Sequence, residues 1–488
     1  MTLFSKVVIL EFKKIRDAVY EIPKSGAMRV PVRLYAGEAL LKKMQEDRTL
    51  GQARNVAALP GIIEASMVMP DGHEGYGFPI GGVAAFSLED GIVSPGGVGY
   101  DINCGVRLLT STLSASEVQP RIKEIVAALF QNVPSGVGSK KIRVDERTLG
   151  EAVTRGAEWC VEQGYGVADD AEHCEENGTI AGADFSKTTP QARKRGMPQF
   201  GTLGSGNHFL EVQRVEKIFD AEAAKAFRLP EEGGVTVMIH CGSRGFGHQT
   251  CDDYIRVMLR ASEKYGIALP DKELCCAPLK SQEAKDYFGA MNCAVNYAFC
   301  NRHVIAHWVR ESFEQAFQKK HGDWEKMGLR TVYDVCHNIA KIEEHAVSGK
   351  NQRVCVHRKG ATRAFWAGRP EIPSAYRSIG QPVIIPGTME TASYVLVGLP
   401  RAAETFASVC HGAGRVMSRH DAIRAFRGVS IQQEMAKRGI TVQSVEPVTL
   451  AEEAGGAYKN VDDVVASVEQ AGLARIVAKL VPLGVIKG

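Results

Sequence analysis

The period of the apolar positions changes several times along the chain. Strand-length apolar runs separated by glycine turns occur at residues 62–70, 80–88 and 106–112. Shorter runs of the same kind recur at 208–215, 235–240, 354–356 and 383–385. Helical spacing predicts helices near 36–48, 119–130, 148–163 and 461–471. Residues 252–319 are the most strongly helical part, and 287–301 carry no charge, which predicts a buried helix. Residues 172–197 are polar, contain the basic run Arg193-Lys194-Arg195, and are expected to form a loop. Residues 404–426 are expected to be a helix interrupted at Gly412 and Gly414, and Cys336-His337-Asn338 to open a helix containing Glu343 and Glu344. No repeat or low-complexity tract divides the chain. The pattern predicts an α+β fold: a single large mixed α/β domain over residues 1–488, with a mostly helical segment at 252–319.

Composition sharpens this. Hydrophobic residues are 44% and charged residues 24% of the chain, which excludes disordered, collagen-like and coiled-coil classes. No apolar run approaches ~18 residues, so no membrane span is expected. The segment 1–23 has only the short apolar run Val7–Leu10 before Glu11, Lys13 and Lys14, unlike a signal peptide, and a cytoplasmic location is expected. The 12 cysteines include no C-x-x-C pair, which fits a reducing compartment and argues against a zinc ribbon or redox pair. With 59 basic and 56 acidic residues, charge alone does not argue for nucleic acid. Glycine is the anomaly: 50 of 488 residues is about 10%, against a usual ~7%. Ten of these glycines fall within residues 72–105.

Several chemically competent side chains lie beside glycine, asparagine or cysteine at the ends of strand-like runs, where a rigid strand fixes the backbone and a loop frees the side chain. Asp71-Gly72-His73 opens the first glycine cluster and Asp101-Ile102-Asn103-Cys104 closes it. Asn207-His208, His240-Cys241-Gly-Ser-Arg244, Cys336-His337-Asn338 and Cys410-His411 follow. Convergence of Asp101, Cys104, His208, His240 and His337 would suit a transition metal such as zinc, iron or manganese, and a thiolate can bridge two ions. His303 and His307 have i, i+4 spacing but no intervening glutamate base, and a helix-packing role fits them better. There is no P-loop and no lysine nucleophile motif, so a nucleotidyl intermediate would need another nucleophile. His411, followed by Gly412, Gly414 and Arg415, is the best candidate. A basic stretch at 353–377 is either an anion contact or a solvated face.

Together these motifs resemble the RtcB family of RNA ligases, GTP-dependent enzymes that join an RNA 3′-phosphate to a 5′-hydroxyl. The resembling blocks include Pro-Asp-Gly-His-Glu-Gly-Tyr-Gly (70–77), Gly-Tyr-Asp-Ile-Asn-Cys-Gly (99–105), Gly-Ser-Gly-Asn-His-Phe-Leu-Glu (204–211), Gly-Ser-Arg-Gly-Phe-Gly-His-Gln (242–249), His-Asn-Ile-Ala-Lys (337–341) and Cys-His-Gly-Ala-Gly-Arg (410–415). The resemblance extends from about residue 27 to the terminal Lys487-Gly488. The segment Phe365-Trp366-Ala367-Gly368-Arg369 departs from the family pattern.

The resemblance implies two manganese ions, one held by Asp101, Cys104 and His208, the other by Cys104, His240 and His337. It implies that His411 attacks GTP and becomes guanylylated. Asn207, Phe209, Glu211, Ser393, Tyr458 and Lys487 match guanosine contacts. Arg244, Asn338 and Arg415 match phosphate contacts for GTP or the RNA end, with Asp71 beside them at the metal pocket. The implied partner is RNA, as tRNA halves or broken RNA, and an archease-type activator joins the expected partners. The same metal centre also suits water activation, so a GTP-independent phosphoesterase is the alternative, and a non-enzymatic RNA-binding relative is a third reading.

Overall fold

A computed structural model of the chain describes residues 11–136 and 142–488; the apolar run Val7–Leu10 lies outside them. Helices surround two large sheets, an α+β architecture. The first sheet runs, in spatial order, Thr331–Cys336, Gly105–Leu109, Val235–Cys241, Phe209–Ile218, Ala474–Lys487, Ser393–Gly398 and Pro382–Ile385. Thr441–Ser444 joins it as a parallel neighbour of Ala474–Lys487. The second sheet runs Lys13–Arg16, Val19–Ile22, Val32–Tyr35, Ile62–His73, Ile80–Ser87, Lys350–Lys359 and Asn338–Val347. The chain crosses from the first sheet to the second between Cys336 and Asn338, with His337 as the single residue at the crossing.

The uncharged stretch predicted to be a buried helix lies in Gln282–Ala316, where every residue from Gly289 to Ala306 is buried. Ser281 caps it: its hydroxyl accepts from the Ala284 amide at 3.1 Å. The helix packs against Arg244–Lys264, Ile122–Asn132 and Glu146–Arg155, filling cores that no single face could satisfy. His303 is buried in it and His307 pairs with Glu311 at 3.4 Å one turn on, so both act in helix packing.

Three local expectations change. Residues 338–347 form a strand, because their inward and outward positions alternate with period two. Ser348 (φ 49°) and Gly349 (φ 78°) then close a two-residue hairpin onto Lys350–Lys359. Residues 404–426 are not one helix: Phe406 and Ala407 both sit at φ 50°, ending the 3-10 turn Pro400–Thr405. The strand Ser408–Cys410 follows, and only Arg419–Ala425 is helical before Phe426. Within the supposed loop 172–197, Thr189 caps the helix Pro190–Gly196, with proline at its first position.

The basic stretch 353–377 is neither a solvated face nor a free anion surface for its central members. Arg358 is fully buried and forks onto both carboxylate oxygens of Glu343 at 2.8 Å. Arg363 binds Glu176 at 2.7 Å, and Lys359 donates to the carbonyls of Tyr76 and Gly96. Burying such charges is tolerable because the two arginines are paired with carboxylates and the lysine is hydrogen-bonded to carbonyls.

Candidate active site

Strand pairing alone assembles most of the site. In the first sheet Cys336 pairs with Gly105, Gly105 with Cys241, and His240 with Phe209. Four adjacent strands therefore end at one edge, which brings His337, Cys104, His240 and His208 together. The Cys104 thiol lies 3.3 Å from His240 Nε2 and 3.5 Å from His208 Nε2. His240 Nε2 is 3.4 Å from His337 Nε2, and His208 Nε2 is 2.8 Å from Asp101 Oδ2. Two groups able to hold a metal result, Cys104/His240/His337 and Asp101/Cys104/His208, each with ligand atoms within 4.8 Å of one another and Cys104 common to both.

The donor chemistry fits cations in both places. Burial drives His240 and His337 well below the usual histidine range, so both imidazoles are neutral, and their Nε2 atoms lie 3.4 Å apart. Neutral imidazoles beside a cysteine are the donor types that would suit a transition-metal ion. His208 donates from Nδ1 to the Leu203 carbonyl at 3.0 Å, which fixes the ring and aims Nε2 at the centre. Burial and the Asp101 carboxylate push the Cys104 thiol up to about 11, so thiolate character there requires a bound cation.

A surrounding layer orders these ligands. Asp101 Oδ1 accepts from the Ser243 amide at 2.9 Å, which leaves Oδ2 for the centre. Gly242 is required beside it, since a Cβ there would lie 2.4 Å from Asp101 Oδ1. Arg302, from the buried helix, donates to the carbonyls of Asn103 and Cys241, each at 2.8 Å, and to Asp334 on the strand leading to His337. One guanidinium thus ties three ligand-bearing segments together. Sequence patterning missed Arg302, because an arginine in an apolar helix gives no local sign of its partners.

His411 follows the short strand Ser408–Cys410 and sits against the metal pocket, its ring centroid 4.8 Å from that of His337. Its Nδ1 donates to Asp71 Oδ2 at 2.5 Å and its amide to the same oxygen at 3.0 Å. Because a carboxylate only accepts, Nδ1 carries the proton and Nε2 keeps its lone pair, as a nucleophile needs. Asp71 Oδ2 is thus engaged by the histidine, while its Oδ1 is buried with no partner among the described residues. Gly414 (φ 75°) passes so close that a Cβ would lie 2.2 Å from the Asp71 carbonyl oxygen.

The expected guanosine positions line the neighbouring side. Glu211 accepts from Gln213 at 2.9 Å, Gln213 also reaches Ser393 at 3.3 Å, and Glu211 Oε1 is buried with no partner among the described residues. Burial raises the Glu211 carboxyl to about 8. Lys487 donates to the Gly206 and His208 carbonyls, bracketing Asn207, and its ammonium lies 5.8 Å from the Phe209 ring centre. Arg415 stacks on Tyr458 and bonds Glu453, Tyr458 and the Glu452 and Met417 carbonyls, so its donors organise the pocket wall. Asn338 likewise spends its amide on the Asp101 carbonyl and the Gly360 amide. Arg244 packs against Gly204 with a buried Nε that has no partner among the described residues, which keeps it available to an anion. Gln213, Glu453 and Lys459 were not foreseen from sequence; their spacing from the motif residues is their only signal.

Residues 52–488 match the family model described as "tRNA-splicing ligase RtcB". Several curated relatives with that same description agree over nearly their whole length. The protein from Thermococcus kodakarensis is 55% identical over 483 residues, 98% of this chain and 99% of the relative. That from Archaeoglobus fulgidus is 55% identical over 480 residues, 98% of each, and that from Methanococcus maripaludis 50% over 479, covering 97% and 99%. With the site's geometry and these matches together, the chain belongs to the RtcB family.

Proposed function

We propose that the protein is a GTP-dependent RNA ligase that joins an RNA 3′-phosphate or 2′,3′-cyclic phosphate to a 5′-hydroxyl. One observation carries this reading: a histidine with a fixed tautomer, His411, stands in ring contact with a two-part Asp/Cys/His cluster. Its relatives' description as tRNA-splicing ligases supports RNA, and tRNA halves in particular, as substrate. An archease-type activator and a cytoplasmic setting belong to the same reading. Among the described residues no helix is long and apolar enough to cross a membrane. Residues 1–488 act as one catalytic unit, since Asp71 comes from one sheet and the cluster from the edge of the other.

His411 Nε2 attacks the α-phosphorus of GTP, the N–P bond forms, and pyrophosphate leaves. Asp71 holds the Nδ1 proton and stabilises the charge that the ring gains. Glu211, Ser393 and Lys487 hold the base and Arg244 an anionic group. A 2′,3′-cyclic phosphate is first opened by water to the 3′-phosphate. GMP then passes to that phosphate as the His411 N–P bond breaks, giving an RNA-ppG end. The 5′-hydroxyl attacks the RNA-side phosphorus, giving up its proton to solvent as GMP leaves. Asp101, Cys104, His208, His240 and His337 would hold two manganese ions, which when bound neutralise phosphate charge.

Incubation with manganese and α-labelled GTP should give an acid-labile, base-stable protein–GMP adduct that is absent in His411→Ala. Hydrolysis of phosphate esters without GTP, persisting in His411→Ala and with no adduct in the wild type, would instead establish the phosphoesterase.

A further inference from the structure

Lys459 is buried beside the nucleophile and has no place in the chemistry above. Its ammonium donates to the carbonyl of Gly72 and, at 3.3 Å, to that of Pro70. These two carbonyls flank Asp71 on either side. The backbone amide of Lys459 donates to the Gly414 carbonyl at 2.8 Å, and Val416 donates to Ala457 at 2.8 Å. Residues 457–459 therefore pair with the loop that carries His411, through the bridge Arg415↔Tyr458. Tyr458 is extended (φ −122°, ψ 158°), so successive side chains go to opposite sides. Tyr458 goes to Arg415 and Lys459 to the Asp71 turn.

We propose that Lys459 is a positioning residue that grips the backbone on both sides of Asp71 and so holds its carboxylate under His411 Nδ1. This rests on His411 being the guanylylated residue. The same extended segment makes a link between base and nucleophile: Tyr458 stands at the expected guanosine wall, and its neighbour sets the histidine's partner. His73 completes the grip, its Nδ1 donating to the Asp71 carbonyl at 2.9 Å. Burying an ammonium is costly, and burial lowers Lys459 to about 8 with Asp71 as the attraction that opposes it. A methyl-terminated side chain of similar length would fill the space without that cost. The cation is therefore explained by what it holds.

The test is a double-mutant cycle on adduct formation with manganese and α-labelled GTP, using wild type, Lys459→Met, Asp71→Asn and the double variant. In the wild-type background, Lys459→Met should slow the first-order step at saturating GTP by about 30-fold, with the KM for GTP changed by less than about threefold. In the Asp71→Asn background the same substitution should cost less than about twofold, because the group it positions has lost its function. Lys459→Arg, which keeps the charge and donors, should restore part of the rate and serves as the readout should Lys459→Met fail to fold. Equal losses in both backgrounds, or a loss confined to KM, would overturn the positioning role. Absence of an adduct in the wild type would overturn the ligase reading itself, and the proposal with it.

Discussion

The metal side and the nucleotide side of the site are built in opposite ways. The Asp/Cys/His cluster stands at the ends of four neighbouring strands, and hydrogen-bond register sets its spacing. His411 stands on a loop between Ser408–Cys410 and Arg419–Ala425, held by side chains from distant segments: Asp71, Lys459 and Glu453. Beyond it the chain exposes Val416, Ile423, Val429, Val445 and Val448, whereas the metal cluster is almost wholly buried. A ladder resists distortion collectively, while a loop depends on a few individual bonds. Metal binding and guanylylation should therefore be separable by mutation.

The strongest test of that separation is Cys104→Ala. Both ligand groups share this sulfur, so bound manganese should fall from two ions per chain to none, and adduct formation by about 10³-fold or more. Metal analysis of the purified protein checks it; two retained ions would remove Cys104 from the bridge. His208→Ala and His240→Ala should each keep one ion, because each belongs to only one group. If either variant lost both ions, the two groups would be one indivisible site.

Gly414→Ala probes the loop side. The new Cβ would press on the Asp71 carbonyl from a left-handed backbone, so adduct formation should fall about tenfold while the manganese content stays at two. Loss of metal in this variant would break the comparison. The smallest effect is expected from Glu211→Gln. With the folded-state carboxyl raised to about 8, the folded chain keeps a proton that the unfolded chain releases at ordinary carboxylate pH. Stability therefore falls as pH rises through that window and levels off above 8. The amide variant lacks this penalty, and its melting temperature should gain on the wild type by a few degrees between pH 5 and 8. A gap independent of pH would place the Glu211 carboxyl in the ordinary range.

Sequence patterning reached the two sides unequally. Asp101, Cys104, His208, His240 and His337 all flank apolar runs that are in fact strands, so local pattern exposed them even where the following element was misjudged. The helix expected after His337 is a strand whose buried positions are Lys341, Glu343, His345 and Val347 and whose exposed ones are Ile342, Glu344 and Ala346. Its inward face is thus largely polar, while Ile339, Ile342 and Ala346 fall at helical spacing in the sequence. Ala474–Lys487 went unforeseen, although it pairs with three strands and ends in Lys487, since Pro482 and Gly484 interrupt its apolar run where the register shifts. The bond between Asp71 and His411 spans 340 positions, and no local period encodes a partner at that distance. Arg358 and Arg363 show the same limit: a basic run on paper became buried pairs once Glu343 and Glu176 folded beside them.

The single-residue crossing at His337 bears on the order of assembly. The five side chains of the two clusters span residues 101 to 337 and come together only when four strands have found their register and the chain has turned toward the second sheet. An ion has little to hold in a partly folded chain, unlike the short ligand spacings through which metals drive the folding of small domains. The metal would thus arrive late, as a final inspection of finished topology, and its removal should silence the protein while leaving the fold standing.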